Sequence, residues 1–253
     1  MPDLTPWMLV FTRVGAFISV FPMFAAANVP RRIRVGLAAM LAFLLLPMIP
    51  TMKLGELSSW RLTQLMFMET SVGLLLGFTC RFIFYTLEIA GGIMATEMGL
   101  QMAAEMNPLS SQNNPAPSTM LFWMGMMLMF TTDTHHMIIA ALQRTYVLLP
   151  PGAAHPSRAL LDDIIRRSGS MFALMIQIAT PVLAIGFVVS MVFSLLSRAV
   201  PSMNVFSESM PVRTLAGLAV FGLSFNLMAQ HIAAAVRRLP EDFLKVAQLL
   251  SGQ

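Results

Sequence analysis

Asp133, His135 and His136 form the densest group of side chains that could do chemistry in this sequence. One carboxylate and two imidazoles could together bind a metal ion or relay a proton. Neighbouring residues on a helix point about 100° apart, however, so two adjacent histidines are poorly placed to bind one ion. We therefore predict a polar hairpin turn at this stretch, with no metal bound and no catalytic role.

Charged side chains also interrupt apolar stretches, which makes them functional candidates, because a charge inside a membrane is costly. Two interpretations are open: contacts between the subunits of an assembly, or ion coupling in a transporter. In an assembly such side chains would pair across subunits. We predict these inter-subunit polar contacts for Arg13, Glu69, Arg81, Glu88 and Glu97.

Motifs of the common enzyme classes do not occur in the sequence. It contains no H-E-x-x-H zinc motif, no G-x-S-x-G nucleophile motif, no Walker A motif and no dinucleotide fingerprint. We predict a protein that is not an enzyme and that needs no cofactor.

The composition indicates the class of protein. Of 253 residues, 57% are hydrophobic and only 11% are charged, whereas a soluble domain has about 25% charged residues. Too few polar side chains are present to cover a water-facing surface of this size, and several apolar stretches reach the roughly 20 residues that span a bilayer. The net charge of +4 is too small and too scattered to indicate nucleic-acid binding.

The apolar stretches predict an all-α membrane-type fold of helical hairpins. In the first half, segments at about 4–24 and 33–49 precede a helical stretch at about 58–106, which would measure roughly 73 Å as one helix. Since that length exceeds the thickness of a bilayer core more than twofold, we expect a break near Gly91 and Gly92.

In the second half, the polar residues 131–136 are predicted to turn a helical hairpin that spans about 119–149. The other predicted elements are an amphipathic piece at 157–168, apolar segments at about 169–200 and 212–236, and a C-terminal amphipathic helix at 241–250 after Pro240.

Four methionines recur at every fourth residue near the end of the long helical stretch: Met94, Met98, Met102 and Met106. This spacing roughly aligns them on one helical face. They form either an ordinary packing stripe between helices or a flexible, polarizable seal.

Four stretches, in order, resemble the R-subunit family of the bacterial flagellar protein export gate (FliR), whose injectisome counterpart is the T subunit. They are VPRRIRVGLA at 29–38, AGGIMATEMGLQMA at 90–103 followed by Asn107 and Pro108, DTHH at 133–136, and LSRAVPSMNVF at 196–206 followed by Met210 and Pro211. The sequence departs from the family in two places. Thr134 replaces a glycine in the His-His turn, where a positive φ would be strained, and the triplet at 207–209 is polar where many relatives are apolar or rich in glycine.

This resemblance implies a single integrated subunit, 1–253, that assembles with several copies of P-type and Q-type subunits into one helical, closed pore. Residues about 1–150 would form a P-like portion with a plug loop, and residues about 151–253 a Q-like portion. The implied location is the bacterial inner membrane, in the flagellar basal body. The implied further partners are the other membrane export-apparatus subunits, membrane lipid and unfolded export substrates, with no nucleic acid.

In relatives, a loop after the corresponding long helix plugs the pore. The resemblance therefore implies a plug loop formed here by Glu105, Met106, Asn107, Pro108, Leu109, Ser110, Ser111, Gln112, Asn113, Asn114 and Pro115. The stretch 107–118 carries no charge, which would limit the desolvation penalty inside a pore, although a plain surface loop has a similar composition. Beside such a plug, the four methionines would act as a gasket around the pore.

Three other functions stay open. The chain could serve an injectisome as its T subunit, or it could be an ion-coupled membrane transporter that uses Glu69, Glu88 and Glu97. The third alternative is a membrane enzyme with a metal at the turn 133–136.

Overall fold

The computed structural model describes residues 4–25, 29–49, 58–101, 114–155, 157–202 and 204–252. Within these ranges the regular structure is helical and contains no strand, which confirms the all-α prediction. The α-helices are α1 (Leu4–Val20), α2 (Pro22–Ala25), α3 (Arg31–Leu45), α4 (Ser59–Glu97), α5 (Ala116–Thr131), α6 (Thr134–Leu148), α7 (Arg158–Ala199) and α8 (Val205–Ser251), and a 3₁₀ helix (Leu46–Met48) follows α3.

Three helices, α4, α7 and α8, are long and apolar enough to cross a membrane, with 39, 42 and 47 residues. Their most apolar windows differ in how much the chain itself covers them. The buried share is 50% in α4, 33% in α7 and only 17% in α8. Within the described part of the chain, the most apolar windows of α7 and α8 are therefore left mainly for lipid or another protein to cover.

One compact unit comprises residues 1–83, 130–167 and 237–253. Its core includes the packing of α1 against α3. The rings of Phe17 and Phe243 meet edge to face, with 5.5 Å between their centroids. This contact joins the last turns of α8 to α1. Gly73 permits a close approach of α4 to α1, because a Cβ there would lie 2.3 Å from the carbonyl oxygen of Arg13.

The second compact unit comprises residues 84–129 and 168–236. Within it, α5 lies against the second half of α4, where the rings of Phe84 and Phe122 meet edge to face at 5.5 Å. Ser118 donates a hydrogen bond of 2.9 Å to the backbone carbonyl of Glu88. The two units are defined only by which residues contact one another. They do not test the predicted P-like and Q-like portions, which stay a prediction.

The predicted break at Gly91 and Gly92 is wrong, because α4 continues through both residues to Glu97. Gly91 serves packing instead: a Cβ at this position would lie 2.3 Å from Cα of Ser118, so only a glycine lets α5 approach this closely. The helix ends at Glu97. Two residues later, Gly99 adopts a φ of +73°, a conformation that favours glycine.

The predicted division of the last hundred residues is also wrong. A single helix, α7, replaces the pieces at 157–168 and 169–200, and α8 runs through Pro240 without interruption. A proline inside a helix removes one hydrogen bond and crowds the preceding turn. Packing holds α8 together beyond this point, since Leu239, Phe243 and Val246 are buried.

A turn at Thr132 and Asp133 separates α5 from α6, and the predicted helical hairpin stays a prediction. The strain expected at Thr134 does not occur there, because Thr134 is already helical and Asp133 has the positive φ, 53°. Aspartate tolerates this left-handed conformation better than most residues do. The polar stretch at 107–118 also ends earlier than expected, since α5 begins at Ala116.

Candidate functional site

A buried ion pair between Arg13 on α1 and Glu69 on α4 lies in the first compact unit. Nε of Arg13 donates to Oε2 of Glu69 at 2.6 Å, and Nη2 donates to Oε1 at 3.1 Å. Neither side chain is exposed to solvent. Such a two-pronged contact suits the planar guanidinium group. These two residues pair within the chain, and their predicted contacts with other subunits stay a prediction.

The remaining hydrogen-bonding capacity of this pair is taken up by α6 and the residues after it. Arg13 donates to the hydroxyl of Thr145 at 3.3 Å and to the carbonyl of Leu149 at 3.0 Å. The backbone N–H of Gly152 donates to Oε1 of Glu69 at 3.2 Å. The guanidinium carbon also lies 4.3 Å from the ring centroid of Tyr146. The buried charges are therefore satisfied by partners from three parts of the chain.

Arg81 and Glu88 are half-buried on α4. They belong to different compact units, Arg81 to the first and Glu88 to the second. Their predicted contacts with other subunits stay a prediction.

The end of α4 holds the two described residues of the methionine series. Met94 and Met98 are both fully buried within the second unit. The backbone carbonyl of Met98 accepts a hydrogen bond of 2.6 Å from Thr214 on α8, and a Cβ at Gly217 would lie 2.6 Å from Cγ of Met98. For these two residues, the burial agrees with the packing-stripe interpretation. Met102 and Met106 lie outside the described residues.

Glu97, in the last turn of α4, faces Arg213 of α8 across 4.0 Å. Arg213 also donates to the hydroxyl of Ser190 on α7 at 2.9 Å. Glu97 thus contacts a cation of its own chain, and about a third of its side chain stays exposed. A cavity of about 490 Å³ opens beside this pair, lined by Thr96, Glu97, Gly99, Gln101, Val205, Phe206, Ser209, Met210 and Arg213.

Most of the predicted plug loop, Glu105–Asn113, lies outside the described residues. Its last two members, Asn114 and Pro115, lead directly into α5 and are exposed and half-buried, respectively. The plug function therefore stays a prediction.

The turn residues Asp133, His135 and His136 lie close together in the first unit. Their potential ligand atoms are all within 4.8 Å of one another, and Nδ1 of His136 is 3.5 Å from Oδ1 of Asp133. The centroid of the His135 ring also lies 5.1 Å from that of the Phe130 ring, with the two rings tilted. About three quarters of the side chains of Asp133 and His136 are exposed, which suits a solvated turn, and the predicted absence of a metal stays a prediction.

A charged cluster that the sequence analysis did not identify joins the start of α7 to the end of α8. Oδ1 of Asp163 lies 2.6 Å from Nζ of Lys245, and the same carboxylate forms an ion pair with Arg167. Nη1 of Arg167 reaches Asp242 at 2.7 Å. Burial opposes ionisation of Asp163, but its hydrogen bonds to Lys245 and Arg167 outweigh this effect, so the pKa of the carboxyl is lowered. These contacts hold the start of α7 against the end of α8.

Sequence reasoning also missed Arg213 and Tyr146 as partners of the predicted acidic and basic residues. Arg213 lies at the start of the predicted apolar segment 212–236, and no local signal in the sequence pairs it with Glu97. Tyr146 follows Arg13 by 133 residues in the sequence, so only the folded chain brings the two together.

Comparisons with known proteins give matches over nearly the whole sequence. The family model for bacterial export proteins, family 1, matches residues 4–239. The Flagellar biosynthetic protein FliR of Caulobacter vibrioides is 29% identical over 237 residues, which cover 93% of this chain and 94% of the relative. The protein of the same name from Escherichia coli is 27% identical, over 96% of this chain and 94% of the relative.

The name of a further relative refers to the translocation of Yop proteins. The Yop proteins translocation protein T of Yersinia pestis is 27% identical over 207 residues, which cover 81% of this chain and 79% of the relative. The matches confirm the resemblance that the four short stretches indicated. Because the family model extends over nearly the whole sequence, this chain belongs to the bacterial export proteins, family 1.

Proposed function

We propose that this chain is a structural and gating subunit of the flagellar type III protein export gate. It assembles with P-type and Q-type subunits and forms part of the closed entrance pore for unfolded export substrates. The proposed location is the bacterial inner membrane, at the flagellar basal body. The chain acts without catalysis and without a cofactor.

The observation that carries this proposal is the family match over residues 4–239. Two relatives named flagellar biosynthetic proteins align with this chain over nearly their full lengths. A full-length match of this kind supports a shared role of the whole subunit rather than one shared domain.

The distribution of apolar surface supports a subunit that other proteins surround. Large apolar side chains are exposed along α7 and α8 within the second unit: Phe172, Phe187, Met191, Leu195, Leu215, Leu223 and Phe225. A monomeric soluble protein rarely exposes so extended an apolar surface. Packing against P-type and Q-type helices, together with membrane lipid, would cover it.

The buried ion pair supports the assembly proposal over the transporter alternative. An ion-coupling carboxylate must bind and release its ion, whereas Glu69 is already held by Arg13 and by the N–H of Gly152. Glu97 likewise lies opposite Arg213. Both acids therefore have structural partners within the chain.

The plug and gasket belong to the same proposal. α4 ends at Glu97, and the sequence of the plug loop follows a few residues later. Deleting 110–116 should make the assembled pore leak small ions, measured as conductance of the purified complex in a planar bilayer. The control replaces the same residues with a Gly-Ser linker of equal length, which separates loss of the plug sequence from shortening of the connection. Unchanged conductance after the deletion would contradict the plug.

The second point to test is whether this chain belongs to the flagellar export machine or to an injectisome. The flagellar assignment rests on the resemblance to the FliR family; relatives named FliR cover 83% to 96% of the chain, and the injectisome relative covers 81%. Removing the gene from its own bacterium should abolish secretion of flagellar proteins into the medium, and a plasmid copy should restore it. Normal flagellar secretion together with lost secretion of effector proteins would assign the chain to an injectisome instead.

A further inference from the structure

A small set of contacts joins the end of α4 to α8 within the second unit. The backbone carbonyl of Met98 accepts the hydrogen bond of 2.6 Å from the hydroxyl of Thr214. The side chain of Met98 fills the space that Gly217 leaves open, since a Cβ on that glycine would lie 2.6 Å from Cγ of Met98. Glu97 faces Arg213 beside these contacts. We call Glu97, Met98, Arg213, Thr214 and Gly217 the α4 anchor.

The ion pair of the α4 anchor holds the two helices together only weakly. Nη1 of Arg213 and Oε2 of Glu97 are 4.0 Å apart, and the two side chains are 30% and 34% exposed. Nε of Arg213 is buried and has no hydrogen-bond partner among the described residues. A solvated pair contributes little to stability, and an unsatisfied buried donor opposes it. Earlier on α4, by contrast, Glu69 is fully buried and 2.6 Å from Arg13.

The apolar part of the α4 anchor has room to rearrange. Met98 packs there, and Sδ of Met210 lies 2.7 Å from the position that a Cβ on Gly99 would take. Methionine side chains are flexible and fill more than one shape of space. The cavity of about 490 Å³ beside Glu97 and Met210 leaves space that a close-packed interior would lack.

The backbone directly after α4 has the features of a hinge. Gly99 has a φ of +73°, a conformation that glycine adopts and leaves more freely than other residues. Hinges are formed by a few residues at the ends of elements, and small residues are common among them. A movement at Gly99 would change the direction in which the chain leaves α4.

We propose that the α4 anchor is a releasable contact, which holds the end of α4 against α8 while the gate is closed and separates when the gate opens. Thr214 and Gly217 are positioning residues in this device, because they act by holding Met98. The inference rests on the proposed function, since it describes how one part of the proposed gate moves.

A reversible covalent lock tests whether the α4 anchor must separate. In the variant Met98→Cys with Gly217→Cys, the two Cβ atoms would be 3.6 Å apart, which suits a disulfide. The matched control is Gly15→Cys with Ala38→Cys, which joins α1 to α3 in the first unit with Cβ atoms 3.8 Å apart.

Each variant replaces the wild type in a strain of its own bacterium that lacks the gene. Secretion of flagellar proteins into the medium is measured after oxidation and again after addition of a reductant. Alkylation of the remaining thiols gives the fraction of chain that is cross-linked.

Oxidation of Met98→Cys with Gly217→Cys should abolish secretion, and the reductant should restore it, because the disulfide prevents α4 and α8 from separating. The control variant and the wild type should secrete under both conditions. A fully cross-linked test variant that still secretes would overturn the releasable anchor while leaving the proposed function intact. A wild-type chain that does not restore secretion to the deletion strain would contradict the proposed function itself.

A second test needs no cysteine. Thr214→Val removes the hydroxyl that holds the carbonyl of Met98 and nearly keeps the shape of the side chain. Small-ion conductance of the purified complex in a planar bilayer should rise about fivefold, the usual weight of one hydrogen bond in an equilibrium between two states. Unchanged conductance would overturn the proposal.

Thr180→Val on α7 is the matched control for this test. The hydroxyl of Thr180 donates to the carbonyl of Ile176 in its own helix at 2.6 Å. Thr214 makes the same kind of local bond, to the carbonyl of Met210 at 3.0 Å, so the two variants differ in the bond to Met98. The control complex should conduct like the wild type, and an equal rise in both variants would overturn the role of that bond.

Discussion

Arg13 and Glu69 lie 56 residues apart in the sequence, yet their charged groups meet 2.6 Å apart with no solvent exposure of either side chain. Each charge that is taken from water needs its partner, because the protein interior replaces hydration poorly. The pair therefore fixes the position of α1 against α4 more specifically than apolar packing alone would do.

Glu69→Gln should destabilise the purified chain strongly, because it leaves the guanidinium of Arg13 buried without its counter-charge. Removing one partner of a buried pair costs roughly 3–5 kcal/mol, and the measurement is thermal unfolding in detergent. The control is Glu97→Gln on the same helix, whose carboxylate is a third exposed and 4.0 Å from its cation. Equal small effects of the two substitutions would show that the buried pair does not stabilise the fold.

Gly91→Ala should destabilise the second unit, because the added methyl would lie 2.3 Å from the backbone of Ser118. Overpacking of this kind costs roughly 1–3 kcal/mol. Gly92→Ala is the matched control: its nearest contact would be the hydroxyl of Ser118 at 3.7 Å, and alanine favours a helix by about 1 kcal/mol. A lower melting temperature is expected for the first variant only. If both variants melt at the wild-type temperature, α5 does not lie this close to α4.

Asp133 should respond to substitution according to its backbone conformation. Asp133→Gly is expected to keep or raise the melting temperature, because glycine adopts the φ of 53° without strain. Asp133→Val should lower stability by roughly 1–2 kcal/mol, the penalty of a left-handed conformation for an ordinary side chain. The two variants remove the same carboxylate, so a similar effect of both would assign the role of Asp133 to its charge and not to the turn.

The charged cluster at the start of α7 should make stability depend on pH. Asp163 lies ahead of the apolar part of α7, and the pKa of its carboxyl is lowered in the folded chain. Its stabilising effect is therefore complete above the ordinary aspartate pKa of about 3.9 and is lost as the pH falls through the lower folded value.

The measurement compares melting temperatures of the wild type and Asp163→Asn between neutral and acid pH. The wild type should melt higher at neutral pH, and the difference should vanish in the most acid samples. Asp162→Asn, at the exposed neighbouring residue, should match the wild type throughout. A constant difference between wild type and Asp163→Asn at every pH would mean that ionisation of Asp163 contributes nothing.

The sequence predicted the parts of this fold that depend on local chemistry. The apolar stretches became helices, and the polar residues around Asp133 became a turn, because both patterns act over a few neighbouring residues. Pro240 shows where local rules end: proline predicts a helix boundary, yet the buried side chains of Leu239 and Phe243 keep α8 continuous. Tertiary packing therefore outweighs the local preference of Pro240 for a helix boundary.

The candidate site was predictable in its residue types and not in its pairings. Arg13, Glu69 and Glu97 were recognisable as charges in apolar surroundings, but nothing local identifies Glu69 as the partner of Arg13. The same holds for Glu97 and Arg213, which belong to α4 and α8 and meet only in the folded chain. Gly91 was similarly interpreted as a break, since its role depends on the approach of Ser118.

The most direct test of the central claim is the mass of the complex that this chain forms. The tagged chain is co-expressed with the P-type and Q-type subunits of its own genome, purified in detergent and weighed by native mass spectrometry. The account predicts one discrete complex that contains this chain and several copies of both partners. A stable lone chain that ignores those partners would contradict it.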